Sequence, residues 1–392
     1  MTSPHLLPGS AHFHVIEEPA YAPSGSGEHL YVEIEKEGLT TDEVATTLAR
    51  TFGVKAMNVG FAGRKDRHAI TRQWFSILGG READATNIPK TFSKGRLAVF
   101  TVARHGNKIR VGHLAGNRFR LGLGGVSDIG ALQTAFARLA ATGLINRFGA
   151  QRFGFGGVNL RIAAAWGAGH LDEALALVVD PSGNWHAGEP LPSRFRLGPE
   201  GKVIAALKHG AKPEQALSRA EDLRKLIASA AQAAIFNAIL DARVSAGLSH
   251  RLRVGDLACT RDGASFLVDV ARLDEVNARA APGVLDAIAT APMPGVWRLT
   301  PSLEVLAEER AWSANTGIDW AWFGIKAAFE SPGGRRPLVV PFKDHPRVEQ
   351  IDGVTWVTFT LPSGAFATEA LQQAGVTLPT DRSVQRPPTS SG

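Results

Sequence analysis

The chain has 392 residues, 44% hydrophobic and 20% charged, which can bury substantial cores and is long for one ordinary domain. Its formal net charge is +6, and a single cysteine, Cys259, excludes an internal disulfide and a thiolate-rich zinc site. Between Ala85 and Leu171 the only acid is Asp128, against twelve Lys and Arg, the electrostatic footprint expected of a protein that neutralises phosphates.

The start, Met1-Thr2-Ser3-Pro4-His5, lacks the basic region and apolar core of a signal peptide. No apolar run approaches the roughly 18 residues of a membrane helix, so a soluble cytoplasmic protein is expected, with no membrane partner. Residues 29–35, "HLYVEIE", alternate apolar and polar and predict a half-buried strand. Thr40 with Glu43 forms a capping-box pattern ahead of a helix that Gly53 is placed to end. Strands are predicted near 57–61, 72–78, 97–104 and 117–123, and a second helix from the cap at Ser127 and Asp128 to Gly143. This order predicts an α+β domain with a largely antiparallel sheet.

After about residue 160 the character changes. Residues 161–180 and 214–247 are Ala-rich and helical in pattern, separated by the Pro- and Gly-rich "DPSGNWHAGEPLPSRFRLGPEG". Strand character returns weakly at 265–270, another helix is predicted at 301–315, and "RPLVVPF" and "GVTWVTFTLP" read as strands before a short helix at 364–373. A β-rich start, a helical middle and a β-rich end predict a sheet built from both chain ends, interrupted by a mostly helical domain. The expected boundaries are 1–154 and 306–378 for the first domain and 155–305 for the insertion. The tail 379–392, ending "DRSVQRPPTSSG", is expected to be disordered.

Three stretches carry candidate chemistry. "GFAGRKDRHAITRQW" (60–74) sets one carboxylate, Asp66, among Arg64, Lys65, Arg67 and Arg72. "RHGNKIRVGHLAGNRFRLGL" (104–123) and "NRFGAQRFGFGGVNL" (146–160) interleave cations, glycines and aromatics. Singly each is weak: a Lys-Asp-Arg run is usually a solvated turn, and Gly-Phe-Gly-Gly lacks the lysine of a phosphate-binding loop. The histidines form no metal pattern, because His12 and His14 are expected on opposite faces of an extended segment and no His-x-x-x-His occurs. Paired carboxylates for a retaining glycosidase are missing from this nearly acid-free region.

Together the stretches resemble the signatures of the TruD family of tRNA pseudouridine synthases. "AGRKDRHAITRQW" is similar to that family's catalytic segment, which makes Asp66 the candidate catalytic carboxylate. "ARHGNKIRVGHLAGNRF" resembles the motif that places an asparagine and an aromatic at the target nucleotide, here Asn117 and Phe119. "FGAQRFGFGGVNL" resembles the motif that opens the family's inserted domain, "FTLPSGAFATEAL" its C-terminal signature with Phe366, and "HFHVIEEP" its N-terminal strand with Phe13. Ahead of Phe13, "LLPGSAHF" lacks the lysine and the acids that family members carry there.

The resemblance implies a pseudouridine-synthase-type sheet, tRNA as the partner, uridine 13 of the D arm as the target, and no cofactor and no metal; a monomer is expected. Arg64, Lys65, Lys108, Arg110 and Arg152 are the candidate substrate-binding cations. Arg64, Lys65 and Arg67 are expected to keep Asp66 ionised, since an opposite charge within ~4–6 Å favours a carboxylate. Stacking on Phe13, Phe119 or Phe366 would recover part of the cost of extruding a uridine, at roughly 1–3 kcal/mol per base. The alternative is a non-catalytic RNA-binding or RNA-folding protein that uses the same basic cleft, at whose floor Asp66 is expected.

Overall fold

The computed structural model describes residues 3–186, 188–191, 199–297 and 299–378. They divide into two compact units, one of residues up to 144 together with those from 340 onward, the other of residues 145–339. The second unit is thus wider at both ends than the 155–305 read from composition, and the tail from 379 lies outside the described residues.

Among the described residues the first unit is built on one sheet of ten strands. Eight lie side by side in the order Arg347–Ile351, Val354–Pro362, Leu114–Gly124, Phe13–Pro19, Ile70–Leu78, His29–Glu37, Gly95–His105 and Thr91–Phe92. His5–Leu6 joins the 114–124 strand and Val59–Phe61 the 70–78 strand. Only the pairing of 13–19 with 70–78 is parallel, so strands from both chain ends share one largely antiparallel sheet in an α+β unit.

The helices start and stop where their caps dictate. Thr40 Oγ1 accepts the Glu43 N–H at 3.2 Å while the Glu43 carboxylate accepts the Thr40 N–H at 2.7 Å, opening Thr41–Thr51. The chain leaves that helix through Gly53 at φ 63°. Asp128, not Ser127, caps Ile129–Thr142 by accepting the Ala131 N–H at 2.9 Å. These two helices and Ala367–Gln373 cover one face of the sheet in two separate patches. Leu132, Phe136, Ala370 and Leu371 bury Phe119, Leu121, Phe359 and Leu361. Val44 and Leu48 bury Leu30, Val32, Ile34, Phe75 and Ile77.

The second unit combines helices with a four-stranded sheet in the order Ser265–Leu267, Leu257–Thr260, Ala287–Met293, Gly334–Pro337. The strand Ala287–Met293 was not legible, because a short buried apolar run has no telling period. The helical pattern at 161–180 is two helices, Val158–Gly167 and Leu171–Val179, broken at Gly169 with φ 86°. The pattern at 214–247 is likewise Pro213–Ser218 and Glu221–Ser245. The latter corrects the expectation about apolar runs: by length and composition it could cross a membrane, yet 61% of its apolar window is buried inside the protein.

Candidate active site

Asp66 lies exposed on the loop between Val59–Phe61 and Ile70–Leu78, with Oδ1 accepting the His68 N–H at 2.9 Å. That bond makes a local Asx turn, which orients the carboxylate without burying it. The loop has no ladder of its own, so side chains hold its backbone. Gln73 Nε2 donates to Gly63 O at 3.0 Å. The Lys65 N–H donates to Thr41 Oγ1 at 2.9 Å, and that hydroxyl donates to Gln73 Oε1 at 3.0 Å. Lys36 Nζ donates to Asp66 O at 2.8 Å. At the loop's start Gly60 meets the 105–113 segment so closely that a Cβ there would lie 2.2 Å from Ile109 O, which leaves room only for glycine.

Beneath the loop the sheet is polar. Cross-strand partners share a face, and one row runs Phe359, Phe119, Val15, Thr71, Lys36, Leu97 across six strands. The next row sets Leu361, Asn117 and Glu17 side by side. Glu17, Asn117, Thr71, Gln73 and Lys36 therefore form a polar strip between the two apolar patches. In this strip Asn117 Oδ1 and Thr71 Oγ1 are buried without a hydrogen-bond partner. An orphaned acceptor costs about 1–3 kcal/mol of desolvation, and a bound group that donates to it recovers that cost.

The cations around Asp66 are placed differently from expectation. Arg64 pairs with Asp42 at 2.9 Å, Arg67 with Glu43 at 2.8 Å, and Arg72 with Glu33 at 2.8 Å on the opposite sheet face. Lys65 is buried, its Nζ 2.6 Å from Glu17 Oε2. Burial raises the Glu17 carboxyl above its ordinary range, against the pull of Lys65 and of the Trp74 N–H. Hydrogen bonds from Thr40 and the Arg67 guanidinium hold the Glu43 carboxyl low. Each cation of the stretch thus has a carboxylate other than Asp66 as its direct partner. Lys36 is the ammonium that reaches the Asp66 main chain, and the sequence reading missed it. The signal was available: by the period of two it falls on the face of Leu30, Val32 and Ile34, where a charge is out of place.

The remaining candidates divide by position. Lys108 donates to Met57 O, Arg110 is exposed, and neither makes an ion pair among the described residues. Phe119 is core, 7% exposed with its ring 5.7 Å from Phe359. Phe13 is half-buried against the same cluster, and Phe366, also half-buried, stands at the N-cap of Ala367–Gln373. Arg152 belongs to the other unit, where it lies 5.2 Å from the Phe148 ring; burial lowers its pKa. His12 and His14 are not on opposite faces: His12 ends a 3-10 turn at Ser10–His12 and His14 lies on the strand that follows, and both rings pack against Trp356, at 6.0 and 5.9 Å. Among the described residues no group of three or more His, Cys, Asp or Glu could hold a metal ion.

An exposed carboxylate on a braced loop, above a polar strip with an open acceptor, defines a class of site: one suited to a polyanion that meets a single carboxylate. The chain matches the family model for tRNA pseudouridine synthase D (TruD) over residues 7–186 and 171–373. It is 34% identical over 384 residues to tRNA pseudouridine synthase D of Geobacter metallireducens, with 92% of each chain covered. It is also 34% identical over 371 residues to the Methylococcus capsulatus protein of that name, covering 92% of this chain and 88% of the relative. A solved structure from Methanosarcina mazei, assigned as a tRNA pseudouridine synthase D, shares the fold with a TM-score of 0.67 at 23% identity, covering 95% of this chain and 94% of that one. The chain belongs to the TruD family.

Proposed function

We propose that the protein isomerises uridine to pseudouridine in tRNA, with Asp66 as its catalytic carboxylate and uridine 13 of the D arm as its target. The reaction breaks the bond from ribose C1′ to uracil N1 and joins C1′ to C5; C5 gives up its proton and N1 gains one. Nothing is oxidised and no group is gained, so the chain's own residues suffice. The observation that carries the reading is Asp66 itself: exposed, oriented by the His68 N–H, and set on a loop whose backbone the side chains of Lys36, Thr41 and Gln73 brace. A nucleotide extruded onto the strip would find the Asn117 Oδ1 acceptor open. Arg110, exposed and outside any ion pair among the described residues, can take a backbone phosphate, and Lys108 can do so by leaving the Met57 carbonyl, while Arg64 and Lys65 serve mainly to hold the loop through Asp42 and Glu17. Phe13 and Phe366, half-buried, are better placed to stack a base than Phe119.

Mapping pseudouridine in bulk tRNA from cells with and without the gene tests the reading. Loss of pseudouridine at position 13 alone is the expected result. An unchanged tRNA map would leave the non-catalytic RNA-binding alternative.

A further inference from the structure

Lys36 ends the stripe Leu30, Val32, Ile34 on the buried face of its strand, and is itself 1% exposed. A leucine or methionine there would continue the stripe without the cost of burying an ammonium, which is large unless the charge is used. The groups it bonds do not require it: it donates to Asp66 O at 2.8 Å and Lys65 O at 3.4 Å, carbonyls of a surface loop that water could serve. The charges facing it act in both directions, with Asp66 and Glu43 attracting and Lys65 and Arg67 repelling. What distinguishes the site is its address, directly beneath the residue on which the proposed reaction turns.

We propose that Lys36 is a positioning residue for the isomerisation, its buried ammonium holding the main chain at Asp66 so that the carboxylate meets the nucleotide in register. This rests on the reading of Asp66 as the catalytic carboxylate. The carboxylate is then fixed from two sides, by the His68 N–H at Oδ1 and by Lys36 at the carbonyl of the same residue. Burial, the largest influence on the ammonium, brings its pKa down to about 8, so its charge is lost within the working range of an alkaline pH profile.

The test compares wild type, Lys36→Met and Asp66→Asn in single-turnover isomerisation of unmodified tRNA, with tRNA affinity and thermal midpoint measured alongside. Lys36→Met should bind tRNA within about twofold of wild type and keep or raise the thermal midpoint, since an apolar isostere replaces a buried charge. It should isomerise about 10²-fold more slowly, the cost of a ~1 Å misplacement. The wild-type rate should fall as pH rises through about 8, and this fall should be missing from Lys36→Met. A Lys36→Met protein with wild-type rate, or one that loses rate only in step with affinity or stability, would overturn the proposal. If Lys36→Met does not fold, Lys36→Gln is read by the same criteria. An inert Asp66→Asn beside a fully active Lys36→Met sinks this inference alone, whereas an active Asp66→Asn sinks the catalytic reading beneath it.

Discussion

The buried Glu17–Lys65 pair makes the account quantitative. The side chains are 1% and 6% exposed and 2.6 Å apart, so each is the other's main replacement for water. Glu17→Gln keeps the shape and removes the charge, leaving the Lys65 ammonium buried and unpaired. Breaking a buried pair from one side costs about 3–5 kcal/mol. For a unit of this size a loss of 1 kcal/mol lowers the midpoint by roughly 2–4 °C, so a drop of about 6–20 °C is expected by calorimetry near pH 7. Glu17→Leu with Lys65→Met should recover most of it, because an apolar pair replaces the ions. A midpoint within about 2 °C of wild type for Glu17→Gln would refute the reasoning, since it would mean that Lys65 reaches water unaided.

Arg110→Ala should weaken tRNA binding and reduce the log–log salt slope by about 0.7, read by filter binding across salt concentrations; an unchanged slope would remove Arg110 as a phosphate contact. Lys36 titrates at about 8 in the folded chain against 10.5 when solvated, so between those values the unfolded state holds more protons and stability rises with pH. Relative to Lys36→Met, wild type should gain up to about 3 kcal/mol across that window in denaturant titrations, and a loss would contradict the sign. Thr40→Ala removes the side-chain half of the capping box, the bond from the Glu43 N–H to Thr40 Oγ1, and should cost about 0.5–2 kcal/mol in the same titrations, with no change from wild type as the contrary result.

What the sequence disclosed was local. Thr40 with Glu43, and Asp128 with Gly143, mark helix ends because caps act over three or four residues. The alternation at 29–35 identified a strand of the central sheet. What stayed hidden was long-range. Arg64 and Arg67 stand beside Asp66 in sequence, yet their partners are Asp42 and Glu43 in the first turn of a helix, brought there only by packing. Lys65 finds Glu17 across 48 residues, and Lys36 comes under the loop through strand pairing with Thr71. Charge clustering predicted that Arg64, Lys65 and Arg67 would face the Asp66 carboxylate; each pairs with another carboxylate instead, because adjacency along a loop does not decide where side chains point.

The central claim is that one carboxylate does the chemistry, and Asp66→Asn in a single-turnover assay on unmodified tRNA tests it most directly. The substitution removes the charge and keeps the size, and the amide oxygen can still accept the His68 N–H. The account predicts tRNA affinity close to wild type with no pseudouridine formed above background. Wild-type turnover by Asp66→Asn would contradict it and return the exposed loop to an ordinary solvated turn.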